Sequence, residues 1–111
     1  MKRFLVLYQS ATSAEDQMAR ATPEEAKAGM DAWMAWAGKA GSAIVELGAP
    51  LGAGRHVESG ATSNGQTQVR GYSILQGASI DEIVRVVDGH PHLMMPGGSI
   101  EVLEALAMPG M

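Results

Sequence analysis

The chain has 111 residues, with 8 Lys and Arg against 12 Asp and Glu, for a formal net charge of −4. One domain is expected, because domains run to roughly 100–150 residues, and a composition of 46% hydrophobic and 18% charged residues excludes a disordered chain. The absence of Cys excludes disulfides, thiolate metal sites and Cys nucleophile chemistry, and the acidic balance argues against nucleic acid, whose phosphates need clustered Lys and Arg.

Phe4-Leu5-Val6-Leu7-Tyr8 is a short apolar run ending in polar residues, which reads as a buried strand. Met1-Lys2-Arg3 before it looks like the start of a signal peptide, but the run stops at Gln9-Ser10, short of the roughly 7–15 residues of such a core. No stretch approaches the roughly 20 apolar residues of a membrane helix. The expectation is a cytoplasmic protein with no membrane contact. Ser10 to Ala21, small and polar, reads as a loop.

Thr22-Pro23-Glu24-Glu25 predicts a helix start: Thr22 caps, Pro23 suits the first helical position and Glu25 completes a capping box. The helix is expected to run to about Gly41, with Ala26, Met30, Trp33, Ala37 and Ala40 as an apolar stripe that Met34 and Trp36 widen. Ala43 to Leu47 predicts a second strand, ending around Gly48-Ala49-Pro50. Residues 52–68 read as a Gly-rich loop or hairpin. Asn64-Gly65 is the pair a tight turn wants, with Arg55 to Glu58 and Gln66 to Val69 as its arms. Val69 to Gln76 predicts a third strand. Ser79-Ile80-Asp81-Glu82 is a second capping box, opening a helix with Ile80, Ile83, Val84 and Val87 on one face, closed by Gly89 and Pro91. His90 to Gly98 is turn-rich, Ser99 to Leu106 is a last strand, and 107–111 is a tail.

The order β-α-β-β-α-β predicts an α+β domain spanning 1–111, of the ferredoxin-like kind: a four-stranded antiparallel sheet with two helices on one face. Phe4, Val6 and Tyr8 point to one side of the first strand, Leu5 and Leu7 to the other, and Leu103 is apolar opposite Ile100 and Val102. The helices can cover one face only, and the other would expose a large apolar patch. A second copy across a two-fold axis is the simplest cover, which predicts a homodimer. The alternative is a monomer whose 52–68 loop folds over that face.

Gly71-Tyr72-Ser73-Ile74-Leu75, then Ser79-Ile80-Asp81-Glu82-Ile83, His90-Pro91, and Gly97-Gly98-Ser99-Ile100-Glu101-Val102 resemble the YCII-related family, including its DGPF branch. The first strand and Gly48-Ala49-Pro50 extend the likeness over nearly the whole chain. The resemblance implies a ferredoxin-like dimeric α+β barrel, and most of that family has no assigned reaction. Two departures stand out. Ser63-Asn64-Gly65-Gln66 occupies roughly the place of the DGPF tetrapeptide. Gly29-Met30-Asp31-Ala32 has no His where some members carry one that pairs with an Asp, so that dyad does not transfer.

His90-Pro91-His92 precedes Leu93-Met94-Met95. His90 suits general acid/base work near neutral pH. The competing readings are a His held by the dipole at a helix C-terminus and a soft-metal site with His92 and Met94; the imidazole pair alone leaves zinc short of ligands. Arg55, beside His56 in the Gly-rich loop, could hold an anion or be solvated. Tyr8 and Tyr72 carry hydroxyls that need partners if buried, or that could donate to a ligand. Trp33 and Trp36 fit either core or a pocket wall, and Asp31 an exposed helix carboxylate. Arg70-Gly71-Tyr72-Ser73-Ile74-Leu75 resembles a degenerate RNA-binding strand, which the net charge opposes. Gly52-Ala53-Gly54 lacks the spacing of a dinucleotide fingerprint, so no cofactor is expected. Together these predict a homodimer acting on a small carboxylated molecule, with His90 as acid/base and Tyr8, Arg55, Tyr72 and His92 binding the ligand. The alternative is a non-catalytic small-molecule-binding or interaction module.

Overall fold

Alternation along the central strands sets the layers. The computed structural model describes residues 1–110, so Met111 of the expected tail lies outside the described residues. Strand β1 (Lys2–Gln9) buries Phe4, Val6 and Tyr8, while β5 (Val69–Gly77) buries Gly71, Ser73, Leu75 and Gly77. Both strands send every second residue to the helical side. With β2 (Ile44–Pro50) and β6 (Ser99–Ala105) they form an antiparallel sheet of order β2-β5-β1-β6. The architecture is α+β, compatible with a ferredoxin-like arrangement. The core is Phe4, Val6, Tyr8, Trp36, Leu75, Ile83 and Val87, closed by half-buried Trp33, Ile44, Val86, Ile100 and Val102.

Three helices are present among the described residues, one more than expected. Ser10 to Ala21 is not all loop: α1 (Ala14–Arg20) forms because the Ser13 hydroxyl accepts the Asp16 N–H, Glu15 and Asp16 occupy the first turn and Arg20 the last. Helix α2 (Pro23–Ala40) starts as predicted, with the reciprocal Thr22–Glu25 box in place. Its expected stripe is only half used. Every residue from Pro23 to Ala32 is exposed, and burial begins at Trp33 and Trp36. Helix α3 (Ile80–Val87) keeps the Ser79 cap, but the Glu82 carboxylate reaches the Ala78 N–H instead of that of Ser79. It buries Ile83 and Val87 and leaves Ile80 and Val84 at the surface.

The hairpin is real but its turn is elsewhere. Strand β3 (Arg55–Glu58) pairs with β4 (Ala61–Asn64), and Ser59-Gly60 makes the reversal, Gly60 supplying φ of +81°. Asn64 is instead a strand residue opposite Arg55, and its side-chain oxygen accepts from the Arg55 guanidinium at 3.1 Å. Gln66 to Gln68 is therefore a connector, not an arm. The hairpin stands apart from the four-stranded sheet as its own two-stranded unit.

The face opposite the helices carries an apolar row. Leu5 lies opposite Ile74 on one side and Leu103 on the other, and Leu7 lies opposite Tyr72. Leu5 is 36% and Leu103 47% exposed. The molecule is only 19 Å thick along its shortest axis, as a single sheet with one helical layer should be.

Candidate functional site

Tyr8 is the last inward-pointing residue of β1, so its ring sits where the sheet ends and the turns begin. The Tyr8 side chain is 2% exposed. Ser73, the inward residue of the neighbouring strand, donates its hydroxyl proton to the Leu47 carbonyl at 2.6 Å. The Tyr8 hydroxyl, 2.7 Å from the Ser73 oxygen, must then be the donor in that pair. Burial raises the Tyr8 pKa, and the Ser73 contact offsets part of the rise. At neutral pH this is an uncharged hydrogen-bonded chain: Tyr8 to Ser73 to Leu47.

Helix α3 ends at Val87, and Gly89 with φ of +75° turns the chain back over the sheet. His90 then caps a short 3₁₀ turn, Pro91–Met94, its Nδ1 accepting the His92 N–H at 2.9 Å. An imidazole nitrogen that accepts is unprotonated, so the neutral ring carries its proton on Nε2. That Nε2 is buried and has no hydrogen-bond partner among the described residues. The ring is walled by aromatics. Tyr8 stacks on it at 4.8 Å, while Trp33 and Trp36 stand edge to face, each at 4.4 Å. Trp36 is itself anchored by its indole N–H to the Val86 carbonyl at 2.9 Å.

Burial, helped by the neighbouring His92, lowers the His90 pKa to about 4. Burial therefore opposes the imidazolium form of His90 that the dipole at the end of α3 would favour. The ring is neutral at physiological pH, because transferring its charged form into this box costs more than a partial helix charge returns. His92 is also buried, and its Nε2 donates to the Gln9 carbonyl at 2.8 Å. No group of three or more His, Asp or Glu that could hold a metal occurs among the described residues, and Met94 is exposed at 76%.

Of the five residues singled out as a site, the fold brings together Tyr8, His90 and His92. Tyr8 lies 5.5 Å from His92, ring centre to ring centre. Tyr72 does not join them. One residue along from Gly71, it faces the opposite side of the sheet, where its hydroxyl donates to Glu46 and its pKa is raised, first by that bond. Arg55 lies on the hairpin, tied to Asn64. Ser73 was missed, although a Ser at an inward position between apolar neighbours is the pattern of a buried hydroxyl with a job. Compared with known proteins, the chain matches no family model and no curated protein.

Proposed function

We propose that this chain is a YCII-related protein: a ferredoxin-like βαββαβ domain, cytoplasmic, that pairs through the open faces of two sheets into a dimeric α+β barrel. The element order with a hairpin between β2 and β5, and the apolar row Leu103–Leu5–Ile74, support that reading. Within it, the Tyr8–His90–His92 cluster is a binding site for a small carboxylated molecule, and the protein is a binding module. The observation that carries this is the His90 Nε2–H, buried without an acceptor. A buried donor left unmade costs about 1–3 kcal/mol, and a ligand oxygen placed there would recover it.

Trp33 is the half-buried wall of the box, which otherwise consists of buried side chains. Binding is favoured over catalysis because neutral His90 has spent its lone pair on the His92 N–H and holds no extra proton at pH 7. It suits a donor that polarises an oxygen better than an acid or base. The proximity of the Tyr8, His90 and His92 rings favours a second reading, an enzyme with His90 as acid/base.

Thermal-shift titration of the protein and His90→Asn with small mono- and dicarboxylates tests the site. Stabilisation of the wild type that His90→Asn loses supports it, and equal shifts in both remove it. Product formation from a hit selects the enzymatic reading.

A further inference from the structure

An open groove of about 800 Å³, which shares no lining residue with the aromatic box, lies between α1, the 51–54 segment and the base of the hairpin. Its size falls within the roughly 300–1,000 Å³ of small-molecule sites. Arg70 is placed there by an irregularity in pairing. Tyr8 is opposite Gly71 but Gln9 is opposite Val69, so Arg70 is the extra residue of a bulge. Bulges re-aim side chains, often beside functional sites. The Arg70 Nε donates to the Ser10 carbonyl at 2.7 Å and Nη2 to the Ala11 carbonyl at 3.1 Å. Arg55, also on the groove wall, bonds Asn64. Both guanidinium groups are thus held in place by uncharged acceptors. The ion pairs among the described residues involve neither.

Glu15 and Asp16 face the same groove. Glu15 accepts the Ala53 N–H at 3.1 Å, and the Gly65 N–H donates to the Gly54 carbonyl at 3.0 Å, so the glycine-rich wall is pinned at both ends. No hydrogen bond or ion pair occupies the Asp16 carboxylate among the described residues. Two fixed cations and two acids give the groove separated charges and no net charge. A dianion would meet Glu15 and Asp16, and a simple amine would meet the arginines. A zwitterion satisfies both, and Leu51 and Val69 offer apolar surface beside them.

We propose that this groove binds an amino acid with an apolar side chain, its carboxylate on Arg70 and Arg55 and its ammonium on Asp16. The site shares no residue with the His90 box and does not depend on it.

Amide chemical-shift titration of the full chain with L-leucine, isocaproate and isoamylamine tests it. The expected result is saturable shifts confined to 13–16, 51–55 and 64–70 with L-leucine, and binding at least about tenfold weaker for each half-ligand, since isocaproate loses the contact with Asp16 and isoamylamine those with Arg70 and Arg55. Arg55→Gln and Asp16→Asn, both at exposed positions, should each weaken L-leucine about tenfold with an otherwise unchanged spectrum. No saturable shift with L-leucine, isocaproate binding as tightly as L-leucine, or both variants binding like the wild type would overturn the proposal.

Discussion

The Nδ1 of His90 accepts the backbone N–H of His92 at 2.9 Å, and that bond fixes which ring nitrogen carries the proton. It also ties fold stability to pH. The folded pKa is about 4, against an ordinary value of 6.5. Between those two values the unfolded chain takes up a proton that the folded one refuses, so stability falls as pH drops through that window and is fully present above it. The gap corresponds to about 3 kcal/mol. Urea unfolding from about pH 7.5 down to about pH 4 should show this loss. His90→Asn, which keeps an acceptor for His92 and cannot titrate, should have a flatter profile by a comparable amount.

The Tyr8–Ser73–Leu47 chain predicts an asymmetry between its members. Ser73→Ala strands both the Tyr8 hydroxyl and the Leu47 carbonyl, and should cost about 1–3 kcal/mol. Tyr8→Phe removes one donor and leaves the Ser73–Leu47 bond whole, so it should cost only about 0.5–1.5 kcal/mol. A double-mutant cycle read by denaturant midpoint should find the two coupled; strictly additive losses would argue against a shared chain.

Gly48 should tolerate no side chain. Its φ is +83°, and a Cβ there would sit inside the van der Waals radius of the Tyr72 carbonyl oxygen. Left-handed strain alone is worth about 1–3 kcal/mol, before the clash is added. Gly48→Ala should therefore lower the melting temperature more than Gly29→Ala, where nothing lies within 4 Å of the added Cβ. Gly29 is inside α2, so its replacement should be neutral or stabilising.

The proposed pairing through open sheet faces predicts a mass of about 23 kDa by sedimentation equilibrium, twice the 11.6 kDa of the chain. Leu5→Lys, at the centre of the apolar row, should give a folded monomer. A wild type that sediments as one chain at micromolar concentration would remove the barrel.

The parts of the fold that follow from alternation and capping were legible in the sequence. Phe4, Val6 and Tyr8 sharing a face, the Thr22–Glu25 box and the Ser79 cap each follow from a local rule. The short helix after Ser13 was obscured because its cap and acids also spell a polar loop. The hairpin turn was misplaced because Asn-Gly is a stronger turn pair than Ser-Gly, yet Asn64 gains a partner in Arg55 by staying in the strand. At the site, His90 could be named, but not its protonation. That depends on Trp33, Trp36 and Tyr8 converging on it from 54 or more residues away in the chain. The separation of Tyr72 from Tyr8 was implicit in strand alternation, since their registers place them on opposite faces.

The bulge at Arg70 has a consequence for how the hairpin is attached. The one-residue slip and the clamp on Ser10 and Ala11 separate residues 51–68 from the register of the strand that follows. Length changes in that arm should therefore end at the slip and leave the pairing of 71–77 intact. The arm is thus a replaceable graft on a fixed scaffold, and a chimera carrying another hairpin there should leave the aromatic box around His90 as it is.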